Sequence, residues 1–279
     1  MAIPAVFKAG NTALITGAAS GIGLAVAKLC RKHGMKLALV DRNTDSLAQA
    51  KTIFEKDEAK TETFAMDVSQ PNEWTDLRSK VESKFNRVDF LMLNAGMMLK
   101  GEWDDMMYFQ KIFSTNLGGV TMGIATFLPL LRSSAEPTSI VITGSKQGIT
   151  NPPGNPAYNA SKAAVKSLAE SLSYELRATP TSVHLLVPGW TFTGMTGGGN
   201  LTDKPDGAWW PEQVAEHLEK KMAENRFYVI CPDNDVTEEK DKKRMLWTTG
   251  DAVNGRPPLS RWRDEYKEEA EEWMNKQQV

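Results

Sequence analysis

Thr16-Gly17-Ala18-Ala19-Ser20-Gly21-Ile22-Gly23 joins a short apolar run, Thr12 to Thr16, to a stretch from Gly21 to His33 in which Ile22, Val26, Leu29 and Cys30 recur at helical spacing. Glycines here let the backbone turn tightly and approach a ligand. The helix that follows offers free N–H groups and a positive dipole end to a pyrophosphate. A turn of this composition can also be a plain connection. Its place between a buried run and a helix favours the phosphate-binding reading.

The pattern then repeats. Further strands are expected at Lys36 to Val40, Thr63 to Met66, Asp89 to Leu93, Ser139 to Thr143, Ser182 to Val187 and Phe227 to Cys231. Helices are expected over residues 44–57, 71–86, Tyr108 to Arg132 and Tyr158 to Thr179. Apolar strands without alternation, separated by helices, predict a parallel sheet of about seven strands covered on both faces, an α/β doubly wound Rossmann-type fold. Ligands in such folds bind beyond the carboxyl ends of the strands. Gly17, Asp41, Asp67, Asn94, Ser145 and Pro188 all fall at such ends.

Composition excludes several classes. The 279 residues are 41% hydrophobic and 24% charged, with a formal net charge of -2. Neither nucleic acid nor an anionic membrane is an expected partner of so balanced a chain. No run approaches the roughly 18 apolar residues of a membrane span. The first residues lack a secretory-signal pattern. Cys30 and Cys231 read as reduced core thiols and the chain as cytoplasmic. His33, His184 and His217 have no metal-ligand spacing, so no metal is expected.

Two further features carry chemistry. Asp41 ends the second strand, 18 residues after Gly23. A carboxylate there accepts from the adenosine ribose hydroxyls and repels a 2′-phosphate, or else it caps the next helix. Arg42 leaves room for a phosphate, whereas Ser20 brings no charge; NAD is favoured and NADP is the alternative. Tyr158 and Lys162 stand four residues apart on one helix face. An ammonium beside a phenol favours the phenolate, which makes the pair a proton-transfer device.

Taken in order, these motifs over residues 10–232 resemble the short-chain dehydrogenase/reductase family. The resemblance implies pyrophosphate binding by Gly17, Ser20, Gly21, Ile22 and Gly23, and adenine contacts by Asp67 and Val68. It implies support of the sheet and the adenosine side by Asn94, Ala95 and Gly96. A nicotinamide segment follows at Pro188, Gly189, Thr191 and Thr193. The implied catalytic set is Asn116, Ser145, Tyr158 and Lys162. Tyr158 would be the base, with its pKa lowered by Lys162, which would also bind the nicotinamide ribose. Ser145 would bind the substrate oxygen, and Asn116 would hold a water linking Lys162 to solvent. The implied reaction is hydride transfer between NAD(P) and a secondary alcohol or ketone. The alternative is a non-redox lyase or isomerase that retains bound nicotinamide cofactor. A homodimer or homotetramer is expected. One departure from the family is Lys146, a charge beside the site that is free to point to solvent.

Residues 1–232 are expected to form one dinucleotide-binding and catalytic domain, with a substrate loop near 194–210 containing Gly197-Gly198-Gly199, Trp209 and Trp210. Met97, Met98, Met106 and Met107, with Trp103, suit an apolar pocket, a core or a subunit interface. The expected substrate is moderately bulky and uncharged. Residues 233–279 form a C-terminal extension. Its charged run Asp233 to Arg244 reads as solvated. Ser260 reads as the N-cap of a helix that presents Trp262, Tyr266, Ala270 and Trp273 on one face.

Overall fold

The apolar runs become seven strands in a computed structural model that describes residues 3–196, 203–233 and 236–279. They are β1 (Thr12–Thr16), β2 (Lys36–Asp41), β3 (Thr61–Ala65), β4 (Phe90–Leu93), β5 (Thr138–Thr143), β6 (Thr181–Val187) and β7 (Tyr228–Ile230). All pair in parallel, in the order β3-β2-β1-β4-β5-β6-β7. Each of β1, β4 and β5 is buried along its whole length, because helices cover both faces. The edge strand β3 is half-buried, which explains its polar sequence Thr-Glu-Thr-Phe-Ala.

The period of two splits the strand residues between two cores. On one face Ala13, Ile15, Leu37, Leu39, Phe90 and Met92 pack on α1 (Gly21–Lys32) and α8 (Pro211–Ala223). On the other, Leu14, Val40, Leu91, Leu93, Ile140 and Ile142 pack on α3 (Pro71–Phe85), α5 (Gly119–Arg132) and α7 (Pro156–Glu175). The helix α8 was not expected from the sequence, although Val214, Leu218 and Met222 recur every four residues and are all buried. The expected helix over residues 44–57 is α2 (Thr44–Thr52), capped by Asn43, whose side chain accepts from the Ser46 N–H at 2.9 Å.

The expected long helix from Tyr108 is three pieces: α4 (Met106–Phe113), a π turn (Ser114–Gly118) and α5. The π turn carries Asn116. A short α6 (Gln147–Thr150) follows β5.

The C-terminal segment departs most from expectation. It folds as α9 (Glu238–Val253) and α10 (Lys267–Lys276), joined through two 3-10 turns. Ser260 caps no helix. It accepts from the Trp247 indole N–H at 2.7 Å, and its own hydroxyl donates to Asp251 at 2.5 Å. Trp262 and Tyr266 lie in the 3-10 turns rather than on one helical face with Ala270. Ala270 is buried, and Trp273 meets the buried Trp247 edge-on at 5.5 Å. The charged run at its start is not uniformly solvated either, since Asp241 is fully buried. Among the described residues no helix is long and apolar enough to cross a membrane.

Candidate active site

Strand order reverses between β1 and β4, and a cavity of about 560 Å³ opens there beyond the carboxyl ends of the strands. Its wall contains 18 of the 20 residues expected to bind cofactor or act in catalysis; Gly23 and Asn116 sit behind it.

At one end the wall is mostly backbone. Gly17 and Gly21 have φ of +64° and +52°, a conformation other residues rarely adopt. A Cβ on Gly17 would lie 3.0 Å from Ala95 Cα, so only glycine lets the β1 turn meet the β4 turn. A Cβ on Gly23 would overlap the Gly17 carbonyl and lie 2.8 Å from Asn94 Nδ2. Asn94 knits three strand ends together. Its backbone N–H donates to Thr16 Oγ1 at 2.9 Å, its Nδ2 to the Thr16 carbonyl at 3.2 Å, and its Oδ1 accepts from the Thr143 hydroxyl at 3.1 Å. Asp41 accepts from the N–H groups of Ala19 at 3.1 Å and Asn43 at 3.0 Å. It thus ties the glycine loop to β2 and still faces the cavity. Asp67 caps its own turn by accepting from the Ser69 N–H at 2.9 Å. The Val68 carbonyl accepts from the Trp74 indole at 2.9 Å. With Gly17, Ser20, Gly21 and Ile22 on its wall, the cradle fits a dinucleotide diphosphate at the start of α1.

At the other end the wall is side chains. Tyr158 lies in the first turns of α7, nearly buried, and lines the cavity together with Ser145. Lys162, one turn on, is buried. Its Nζ donates to the Thr143 carbonyl at 2.8 Å and lies 5.8 Å from the centre of the Tyr158 ring. Burial pushes the Lys162 ammonium down to about 8. Burial also pushes the Tyr158 phenol up, and only Ser145 opposes it. The direction is opposite to the expectation that Lys162 depresses the phenol, because desolvation of the buried hydroxyl is the largest cause of the shift.

Asn116 supports this end from behind. Its Oδ1 accepts from the Met97 N–H at 2.8 Å, and its Nδ2 donates to the Met97 carbonyl at 3.0 Å and to Ser161 Oγ at 3.2 Å. Both amide hydrogens are therefore committed to protein. Ser161 donates in turn to the Tyr158 carbonyl at 2.7 Å. Ser161, Thr143 and Gly148 were missed by the sequence reading. A Cβ on Gly148 would lie 2.7 Å from the Lys162 carbonyl, so glycine is what lets α6 press against α7.

The nicotinamide segment runs along one side. A Cβ on Gly21 would lie 3.0 Å from Thr193 Cγ2, so this segment packs on the glycine loop. Thr196, also missed, shares a 3.2 Å hydrogen bond with the Thr193 hydroxyl. The expected substrate loop is only partly described, and Gly197-Gly198-Gly199 lie outside the described residues. Of its aromatic residues, Trp209 packs on the core and on His217 at 5.7 Å, and half-exposed Trp210 meets Phe192 at 5.5 Å. Met97 and Met98 line the cavity, whereas Trp103, Met106 and Met107 are exposed, so those three are not core residues. Lys146 does not point to solvent. Its Nζ lies 2.5 Å from Asp233 and 2.7 Å from Asp241.

Comparison with known proteins matches residues 11–204 to the family model of the short chain dehydrogenases. The chain belongs to the short-chain dehydrogenase family. An uncharacterized oxidoreductase of Staphylococcus saprophyticus is 32% identical over 190 residues, which cover 67% of this chain and 81% of that protein. A short-chain dehydrogenase/reductase of Burkholderia phymatum, solved in complex with NAD, superposes with a TM-score of 0.81 at 28% identity, covering 90% of this chain and 97% of that one. An alcohol dehydrogenase of Thermococcus sibiricus, complexed with 5-hydroxy-NADP, gives a TM-score of 0.69 at 26% identity, covering 75% of this chain and 89% of that one. This short-chain dehydrogenase is thus an oxidoreductase of a family acting on CH–OH or carbonyl groups.

Proposed function

We propose that this short-chain dehydrogenase interconverts a secondary alcohol and a ketone, with Tyr158 as the general acid/base and NAD as the preferred nucleotide. The observation that carries the reading is that Ser145, Tyr158 and Lys162 share the wall of the same cavity that Gly17, Gly21 and Asp41 line. A bound nicotinamide would supply hydride acceptance or donation at the reacting carbon. The residues 1–232 supply the rest as one unit, and residues 194–210 serve as the substrate loop.

In the oxidation direction, Ser145 donates to the substrate oxygen and orients it, and Tyr158 takes the alcohol proton. In reduction Tyr158 returns the proton to the carbonyl oxygen. Neutral Tyr158 in the resting protein suits the reduction, because a phenol held above its usual pKa retains its proton. Lys162 holds positive charge near the phenol and faces the cavity, where a ribose hydroxyl would sit. Asn116 positions this pair through Ser161 and the Met97 backbone. Asp41, on the cavity wall at the end of β2, favours NAD, because a carboxylate there repels a 2′-phosphate.

Met97, Met98, Leu99 and Met195 give the substrate end an apolar wall, and Gln147 adds a carboxamide there. A moderately bulky, uncharged substrate fits this lining. The exposed Trp103, Met106 and Met107 are the surface we assign to subunit contact in a homo-oligomer.

Tyr158→Phe tests the reading. It removes the transferable proton and leaves the ring in place. Against a panel of secondary alcohols and ketones followed by nicotinamide absorbance, turnover should fall about 10³-fold while dinucleotide affinity stays within about twofold. Retained turnover would sink the proposal.

A further inference from the structure

Lys146 is an unusual neighbour for a catalytic serine. Its ammonium lies between two carboxylates of the C-terminal side of the chain, Asp233 at 2.5 Å and Asp241 at 2.7 Å. Asp241 belongs to α9 and is fully buried. A buried carboxylate must be paired to be tolerated, so Lys146 and Arg244, at 3.2 Å, act as its counter-ions. Arg261 lies close by, and burial lowers its guanidinium to about 10.

The second carboxylate reaches the cofactor side of the cavity. Asp233 Oδ2 accepts from the Trp190 N–H at 2.5 Å. A Cβ on Gly189 would lie 2.5 Å from Asp233 Cγ, so Gly189 has to be glycine for this carboxylate to pack there. The backbone closes the loop. Gly144 N–H donates to the Leu186 carbonyl at 2.7 Å, and Lys146 N–H to the Pro188 carbonyl at 3.3 Å. Ser145 is therefore bracketed by two bonds to the β6 end. The side chain of the next residue reaches past that strand end to the carboxylate that holds Gly189 and Trp190.

We propose that Lys146 is a positioning residue: clamped by Asp233 and Asp241, it fixes Ser145 and the Gly189–Trp190 segment relative to one another, so the C-terminal helical hairpin governs how the nicotinamide half is seated. The proposal rests on the reading of this cavity as a nicotinamide site. It separates Lys146 from an ordinary stabilising ion pair, which would affect unfolding but not the two halves of the cofactor differently.

The probes are NADH (or NADPH, whichever the wild type binds more tightly) and ADP-ribose, which lacks the nicotinamide. Both are titrated by calorimetry against the full chain. In Lys146→Met the reduced dinucleotide should bind about tenfold more weakly, and ADP-ribose within about twofold of wild type. Lys146→Arg, which keeps the charge, should restore the dinucleotide to within about threefold. If Lys146→Met alone does not fold, the same titrations use Lys146→Met combined with Asp241→Leu, which removes one charge of each sign; the same split is expected. On any secondary alcohol the wild type oxidises, kcat should fall by about 10- to 100-fold with KM changed less than about threefold.

A folded variant that binds both probes like the wild type would overturn the proposal. So would equal weakening of both. Failure of the underlying reading looks different: the wild type would bind neither dinucleotide, or Tyr158→Phe would keep full turnover while the Lys146 titrations still showed the split.

Discussion

The two ends of the cavity are built by opposite means. The nucleotide end consists of glycines, turn amides and short polar side chains whose groups are paired within the protein: Asn94 across three strand ends, Asp41 to two loop amides, the Val68 carbonyl to Trp74. The catalytic end consists of buried titratable side chains, Tyr158 and Lys162. At the first end the sequence sets a shape. At the second it keeps groups in an environment that opposes their charge. Substitutions at the first end should therefore act through packing, and at the second through protons.

Lys162 offers the largest contrast. The unfolded chain holds its proton up to about pH 10.5, whereas the folded chain holds it only up to about 8. Between those values the unfolded state binds more protons, so stability rises with pH; below about 8 the cost of the buried ammonium is fully present. In Lys162→Met this dependence disappears. Urea unfolding of the cofactor-free protein should show the wild type gaining about 3 kcal/mol relative to the variant as pH climbs through that window. A difference that stays flat from pH 8 to 10.5 would mean the ammonium is not held dry, and the contrast between the two ends would lose its physical basis.

Gly23→Ala probes the other end. The added methyl would overlap the Gly17 carbonyl and crowd Asn94 Nδ2. Such overpacking costs about 2 kcal/mol. Thermal melting should fall accordingly, and ADP-ribose affinity should fall with it, since the same loop makes both. Tyr158→Phe should move neither quantity. If Gly23→Ala melted like the wild type and bound ADP-ribose normally, the nucleotide end would be softer than its geometry implies.

The same division decides what could be read in advance. Glycines at Gly17, Gly21 and Gly23, and an aspartate closing the second strand, are constraints within a short window, so the nucleotide end is legible in sequence. So is the sheet, because fully buried parallel strands are apolar on both faces. The support of the catalytic end is not legible, because it is assembled from distant parts. Nothing near Asn116 announces a π turn, and Ser161 matters only because Asn116 stands beside it in the fold. Asp241 lies in a run of charges that reads as a solvated face; only the arrival of Lys146 makes it a buried partner. The helix α8 is a different kind of miss, since its buried Val214, Leu218 and Met222 were visible at helical spacing. The resemblance to a family supplied Tyr158 and Lys162 their roles, but the environment reversed the expected direction of the phenol's shift.

Asp41 is where the two modes meet, as a charge placed among backbone groups at the nucleotide end. Its carboxylate accepts from Ala19 and Asn43, both of which an asparagine oxygen can satisfy only in part. Asp41→Asn should therefore leave the fold intact, with a small loss from the poorer loop hydrogen bonds. Its chief effect should be on nucleotide choice. Removing the negative charge ends the repulsion of a 2′-phosphate, and exposed Arg42 beside it becomes a partner for that group. The ratio of NADPH to NADH affinity should rise about tenfold, a change of about 1.4 kcal/mol. Parallel calorimetric titrations measure it, and low salt should enlarge it because the site is open to screening. A ratio unmoved by the substitution would show that Asp41 serves only to tie the glycine loop to β2. Nucleotide choice would then lie with another group on the cavity wall, and the nucleotide end would be a matter of shape alone.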